Sequence, residues 1–217
     1  MRWRKRLFDI AAAGTGLVVL SPLLLAIAAA IRWREGPPVL FRQTRIGRRG
    51  RPFQMLKFRT MTPDAEQRGG QLTVGHDPRI TPLGVFLRRF KLDELPQLIN
   101  VLRGEMSMVG PRPEVERYVQ LYSDSQRRVL DLVPGITDPA SIRYRDESAW
   151  LATASDPEAQ YVQSVMPDKI DINLTYAARA TVLRDVMLIL RTIRLVAQAP
   201  RPDGPVPPAG LPGINIS

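Results

Sequence analysis

One stretch constrains this chain more than any other: the apolar run from Leu7 to Ile31, framed by Arg2, Arg4, Lys5 and Arg6 before it and Arg32 and Arg34 after it. Asp9 is the only charge inside. A basic start and an apolar middle also describe a signal peptide. Here, however, the run ends in Ile31-Arg32-Trp33-Arg34, with no small-residue cleavage site. Its length and flanks predict a membrane anchor over residues 1–35, since about 20 apolar residues suffice to cross a bilayer. The competing reading is a buried core helix.

Two features argue against a simple span. Both flanks are basic, and the positive-inside rule places both on the cytoplasmic side. Ser21-Pro22 also stands near the middle of the run. Proline removes a helix donor and crowds the preceding turn, so a break is expected there. Each arm is then about 11–15 residues, roughly 17–22 Å, too short for a hydrocarbon core of about 30 Å. A re-entrant helix fits these facts, and a kinked spanning helix remains the alternative. Trp3 and Trp33 suit interfacial positions at its two ends.

Beyond the anchor, residues 36–199 are expected to be α+β and mostly helical. Val39–Gln43 and Phe53–Arg59, joined by a Gly- and Arg-rich turn, read as a β-hairpin. The stretch from Pro63 to Pro82 reads as loop. Leu83–Phe90 and Leu92–Leu102 carry helical apolar periodicity, and Gly104 is placed to end the second. Further helices are expected over Glu114–Tyr122, Ser125–Leu132, Ser148–Ala154 and Glu158–Val165. A last amphipathic helix, from about Thr181 to Ala199, carries arginines among apolar residues. It suits either an acidic membrane surface or packing on the domain with a basic outer face. Residues 200–217 are rich in Pro and Gly, and disorder is expected.

Composition narrows the chemistry. The 217 residues include no cysteine and a single histidine, His76. Thiolate metal sites, disulfides and multi-imidazole zinc sites are thereby excluded. Any catalysis rests on carboxylates, Lys or Arg, hydroxyls, or a metal held by oxygens. A net charge of +10 favours an anionic partner. Nucleic acid is not expected, because no recognition-helix pattern or aromatic interleaving accompanies the charge.

The candidate site is Asp93-Glu94-Leu95-Pro96 at a helix start. Adjacent carboxylates there are common for a bland reason, since they complement the helix dipole. Their neighbours suggest otherwise. Arg88, Arg89 and Lys91 precede them. Lys57 and Arg59 stand at a strand end and are expected to point to the same region. Arg112 lies in Val109-Gly110-Pro111-Arg112-Pro113, where flanking prolines stiffen the backbone and pre-organise a guanidinium for phosphate. Carboxylates among cations should stay ionised. Such a carboxylate can hold Mg²⁺ through oxygen or attack phosphorus directly. The bland alternative is a surface salt-bridge cluster.

Ordered motifs extend this picture: Lys5-Arg6-Leu7-Phe8-Asp9, Ser21-Pro22, Phe41-Arg42-Gln43 with Arg45 and Gly47, and Lys57-Phe58-Arg59-Thr60-Met61. After them come Leu92–Gln97, Asn100-Val101, Gly104–Ser107, Val109–Pro113 and Pro134-Gly135-Ile136-Thr137. In these the chain resembles the monotopic phosphoglycosyl transferases, the bacterial sugar transferase family, over about residues 3–195. The resemblance implies a re-entrant helix broken at Ser21-Pro22 and a catalytic domain on the cytoplasmic face of the bacterial inner membrane. It implies amphipathic helices at the interface and a ping-pong reaction. Asp93 would attack the sugar-linked phosphate of a UDP-sugar and expel UMP. A polyprenol phosphate, expected to be undecaprenyl phosphate, would then take the sugar phosphate. Glu94 would join Asp93 in holding Mg²⁺, and Lys57, Arg88 and Arg112 match phosphate-binding positions. Arg59 is added from its spacing alone. The chain departs from many relatives at Asp138–Arg145 and from some at Asn173, which leaves the sugar open. A homodimer is compatible with the sequence. The rival readings are a non-catalytic basic scaffold on the membrane surface and a hydrolase of sugar nucleotides that needs no lipid acceptor.

Overall fold

A computed structural model describes residues 3–65 and 77–198. The expectations for residues 200–217 and for His76 lie outside the described residues. The first element, α1 (Trp3–Arg34), is a single helix of 32 residues. The break expected at Ser21-Pro22 is therefore corrected, because helical structure continues through both residues. The local chemistry explains how. Pro22 has no N–H for the carbonyl of Val18, and the Ser21 hydroxyl donates to that carbonyl at 2.8 Å. One such substitute bond keeps the turn closed, as is common for proline in apolar helices.

The expected hairpin is present. Strand β1 (Leu40–Ile46) pairs antiparallel with β2 (Pro52–Phe58), from Leu40 opposite Phe58 to Ile46 opposite Pro52. Arg49 and Gly50 take left-handed backbone angles in the turn. Helix α2 (Pro82–Arg89) is capped by the Thr81 side chain, which accepts from Gly84 N. The expected second helix is split: a 3₁₀ turn over Leu92–Glu94 leads through Pro96 into α3 (Gln97–Arg103). Gly104 ends α3 in the left-handed region at φ 84°, as the sequence indicates.

A second sheet is present that the sequence does not announce. Strands β3 (Ser107–Val109) and β4 (Gly135–Thr137) pair in parallel. Three residues each are too few to show periodicity. Beyond them lies a lobe of short helices: α4 (Glu116–Val119), α5 (Asp124–Arg127), α6 (Pro139–Arg143), α7 (Glu147–Leu151) and α8 (Pro157–Gln160). A π-helical turn over Tyr161–Val165 comes next, then α9 (Met166–Ala178) and α10 (Val182–Ala197). The 13-residue α9 is not among the helices expected from the sequence. Asp168, Lys169, Asp171 and Asn173 interrupt its apolar stripe, while Pro167 is harmless in a first turn.

Three apolar clusters tie the molecule together. Ala13 of α1 packs with Met55, Leu98, Val101 and Met106. Further along α1, Ile27 and Ile31 pack with Phe58 and Leu87. The helical lobe has its own core of Tyr118, Tyr122, Trp150, Leu151, Tyr161 and Val165. Both halves of α1 therefore lie on one body. Polar bonds fasten the ends too. Arg6 donates to the carbonyls of Val101 and Leu102, and Arg59 donates to those of Glu35 and Gly36. The rest of α1 is open: Leu7, Val18, Val19 and Leu25 are all exposed. By length and composition α1 is able to cross a membrane.

Helix α10 buries only a narrow face. Asp185 and Leu188 are buried, whereas Leu183, Met187, Leu190 and Ile193 are exposed, with Arg184, Arg191 and Arg194 beside them. Its outer face is apolar with a basic margin rather than simply basic.

Candidate active site

The site grows from the connection between α2 and α3. Lys91 adopts the left-handed region, φ 53°, which a non-glycine residue enters at a cost. That kink turns the chain so that Leu92 joins the cluster around Phe58 and Leu87 while Asp93 and Glu94 face inward. Both carboxylates are buried, at 5% and 7% exposure. The sequence places them near the edge of the apolar stripe, and the 3₁₀ turn accounts for the difference. It winds tighter than an α-helix and rotates the pair toward β2, against which this segment packs.

Glu94 is clamped. Its Oε1 accepts from Lys57 Nζ at 3.0 Å and from Arg112 Nη2 at 2.7 Å, and its Oε2 accepts from Arg112 Nη1 at 3.3 Å. Burial acts to raise its pKa, but Arg112, Lys57 and Lys91 overcome that effect and hold Glu94 well below the usual carboxylate range. The same contact raises the Arg112 guanidinium. Burial wins at Lys57 despite Glu94, and its ammonium is pushed down to about 8.

Asp93 is the opposite case. Its Oδ1 is buried without a hydrogen-bond partner among the described residues. Burial, and then the charge of Glu94, raise its pKa, opposed by Lys57, Lys91 and Arg88. The expectation that both carboxylates are held in the charged form thus applies to Glu94, whereas Asp93 is driven the other way. An unsatisfied buried acceptor costs about 1–3 kcal/mol. Neighbouring carboxylates pushed in opposite directions are a common signature of divided roles.

Arg112 is positioned by a close crossing of two backbones. Gly110 N–H donates to the Thr137 carbonyl at 3.0 Å, and Gly135 N–H donates to the Pro111 carbonyl at 2.9 Å. A Cβ on Gly110 would lie 2.2 Å from the Val133 carbonyl oxygen, and one on Gly135 would lie 2.1 Å from Gly110 N. Only glycine permits this approach. From the other side, Arg45 donates to the Pro113 carbonyl at 3.0 Å, and Ile46 N–H donates to the Glu114 carbonyl at 2.8 Å.

The structure brings Lys57, Arg112, Asp93 and Glu94 together, and it turns Arg88 toward them. Arg88 Nε donates to Thr60 Oγ1 at 2.8 Å, and its charge acts on Asp93. Burial lowers its pKa. Arg59 is not part of this group. It is turned to the end of α1, where Nη2 donates at 2.8 Å to both Glu35 and Gly36 and lies 3.8 Å from the Glu35 carboxylate. Alternation along an extended chain gives Lys57 and Arg59 the same side but does not fix where a long side chain ends. Ser21 and Pro22 belong to α1 and act there. Lys91 stands out in the sequence only as a neighbour, yet its charge bears on both carboxylates. A positive φ carries no sequence signal unless the residue is Gly or Asn.

Among the described residues no group of three or more His, Asp or Glu side chains converges as a metal cage. The donors suit a hard cation. Asp93 Oδ1 is an unengaged carboxylate oxygen, and Glu94, with two donors on Oε1 and one on Oε2, keeps a lone-pair site on Oε2. Mg²⁺ usually takes one or two carboxylates and completes its shell with phosphate oxygens and water.

The cluster is then two carboxylates among four cations, Lys57, Arg88, Lys91 and Arg112. That surplus of positive charge suits a diphosphate. Comparison with known proteins identifies the family. The chain is 41% identical over 175 residues to the exopolysaccharide production protein ExoY of Rhizobium meliloti, covering 74% of this chain and 77% of that protein. It is 36% identical over 192 residues to the uncharacterized sugar transferase EpsL of Bacillus subtilis, covering 88% and 86%. It is 37% identical over 196 residues to the UDP-glucose:undecaprenyl-phosphate glucose-1-phosphate transferase of Escherichia coli, covering 88% of this chain but 40% of that longer protein. The family model described as bacterial sugar transferase matches residues 1–199, and the chain belongs to that family.

Proposed function

We propose that this protein transfers a sugar phosphate from a UDP-sugar to a polyprenol phosphate, through a phosphosugar carried on Asp93. The observation that carries the reading is the contrast within the pair: Glu94 is locked between Lys57 and Arg112, while Asp93 keeps a buried oxygen free. A desolvated carboxylate of raised pKa is the more basic and more nucleophilic of the two. Asp93 attacks the sugar-linked phosphorus. An O–P bond forms, the bridging P–O bond breaks, and UMP leaves with its electron pair. An oxygen of polyprenol phosphate then attacks the same phosphorus, and the Asp93 carboxylate is released.

The other residues hold the charge in place. Arg112, fixed by the glycine crossing and aligned by Glu94, grips a phosphate from one side. Arg88, held by Thr60, and Lys57 complete the cradle. Glu94, through Oε2, and the Asp93 carboxylate would hold Mg²⁺, and the ion would neutralise charge on the diphosphate. Wild-type protein given Mg²⁺, undecaprenyl phosphate and a panel of UDP-sugars should release UMP with at least one donor, and Asp93→Asn should not. No release from any donor, or full activity in Asp93→Asn, rejects the mechanism. A non-catalytic scaffold predicts that Asp93→Asn changes nothing. A hydrolase predicts sugar phosphate release without lipid.

The membrane reading draws on the same geometry. Both ends of α1 are bonded to one body, which favours both ends on one side of the membrane over ends on opposite sides. The apolar faces of α1 and α10 would sit in the cytoplasmic leaflet with the basic margin at the headgroups. Cysteines introduced at Met1 and Gly36 should both label from the cytoplasmic side, and opposite labelling rejects this topology.

A further inference from the structure

The first turn of α3 carries a second unbonded polar group. Gln97 is 1% exposed, and its Nε2 is buried without a hydrogen-bond partner among the described residues. It lies four residues after Asp93, across the 3₁₀ turn and Pro96, on a segment that packs against β2 on both sides of that connection. A buried donor and a buried acceptor therefore stand four residues apart on one packed segment, each unbonded and not bonded to one another. The neighbouring Asn100 shows what a purely structural amide looks like here. It accepts from Leu56 N at 3.0 Å and donates to the Gln54 carbonyl and to Glu105 Oε2, both at 2.7 Å. Asn100 is bonded at both ends of its amide and fastens α3 to β2. Gln97, one turn nearer to Asp93, does no such work.

We infer that Gln97 is a further catalytic residue, whose side-chain amide donates to a phosphoryl oxygen of the group being transferred to Asp93. This rests on the phosphosugar reading above. A tetrahedral phosphoryl group joined to Asp93 carries acceptor oxygens beyond the carboxylate itself, and these supply the partner that Nε2 lacks in the free protein. A donor whose bond forms only once phosphorus is engaged stabilises the transition state more than the ground state. Its loss therefore lowers the rate of the first half-reaction more than it raises KM for the donor sugar nucleotide.

The test is Gln97→Met, which keeps length and removes the donor, with Gln97→Glu and Asp93→Asn beside it. UMP release is measured in single turnovers without polyprenol phosphate, together with KM and thermal stability. Gln97→Met should slow UMP release about 100-fold, the scale of one lost donor at a site of developing charge. KM should stay within about threefold. Tm should hold or rise, because an unbonded buried polar group has been removed. Gln97→Glu should be slower still, since a carboxylate repels the phosphate. A Gln97→Met rate within about twofold of wild type overturns the inference. So does a rate loss that runs parallel to a fall in Tm, which marks a structural role. An inactive wild type or an active Asp93→Asn counts instead against the phosphosugar reading.

Discussion

Asp9 offers the sharpest test of how the N-terminal helix is joined to the catalytic body. It is fully buried, and its Oδ1 accepts from Ser107 Oγ and from Met108 N, each at 3.0 Å. Lys5 Nζ lies 3.7 Å away and is bonded more closely to Asp185, at 2.7 Å, which also accepts from Tyr176. Asp9→Ala removes two hydrogen bonds to a charged acceptor, each contributing about 1.5–3 kcal/mol. Two effects offset part of that loss. The unbonded Oδ2 disappears, and Ser107 keeps its alternative bond to the Val109 carbonyl at 3.0 Å. Met108 N–H is left without its acceptor. The net destabilisation should be about 3 kcal/mol, or about 6–12 °C in Tm for a chain of this length. Asp9→Asn keeps an acceptor oxygen in place but makes both bonds neutral and loses the longer attraction to Lys5, so it should cost about 1–2 kcal/mol, less than Asp9→Ala. Thermal unfolding of both variants in one detergent, monitored by circular dichroism, reads the difference. Equal losses would refute the reasoning, because the charge rather than the hydrogen bonds would then be the tie. Strand β3 leads directly to Arg112, so the Ala variant should also lose transferase activity below its Tm.

The site and the surface yield three further outcomes. Lys57 loses its proton near pH 8 in the free protein, which strips a cation from Glu94 and from the phosphate cradle. The kcat/KM profile should therefore fall above about pH 8, and Lys57→Arg should remove that limb, since arginine stays charged. Gly135→Ala places a Cβ 2.1 Å from Gly110 N, which forces the two backbones apart. It should lower Tm far more than an ordinary surface substitution and displace Arg112, with Gly14→Ala, which meets nothing within 4 Å, as the neutral control. Leu190 and Ile193 are exposed, so Leu190→Asp with Ile193→Asp should leave folding intact. The pair should weaken partition of the protein into vesicles containing anionic lipid, measured by flotation.

Local chemistry is strong enough to determine several elements without tertiary help. The basic-flanked apolar run from Leu7 to Ile31 demands a long helix in apolar surroundings. The Gly- and Arg-rich turn between two apolar segments sets the hairpin register, and Gly104 closes α3 through its permitted left-handed angle. The order of motifs around Asp93, Glu94 and Arg112 points to the candidate site through the family resemblance, since the bare acidic pair would equally serve a helix start. Other features depend on what the folded chain brings near. Ser21 rescues the carbonyl that Pro22 strands, so a residue that breaks helices locally leaves α1 whole. The left-handed Lys91 and the 3₁₀ turn rotate both carboxylates inward, a cost that the ion pairs of Glu94 with Lys57 and Arg112 offset in part. Arg59, two residues from Lys57, is drawn to the end of α1 by two carbonyls remote in sequence. The opposite fates of Asp93 and Glu94 arise the same way. They are neighbours in the chain, but Lys57 and Arg112 bond only to Glu94, and the cations near Asp93 offset its burial only in part. Sequence specifies which charges a site holds. Distance and burial decide which of them are neutralised, because electrostatic energy depends on separation and solvent exposure, and both are set only when distant segments pack.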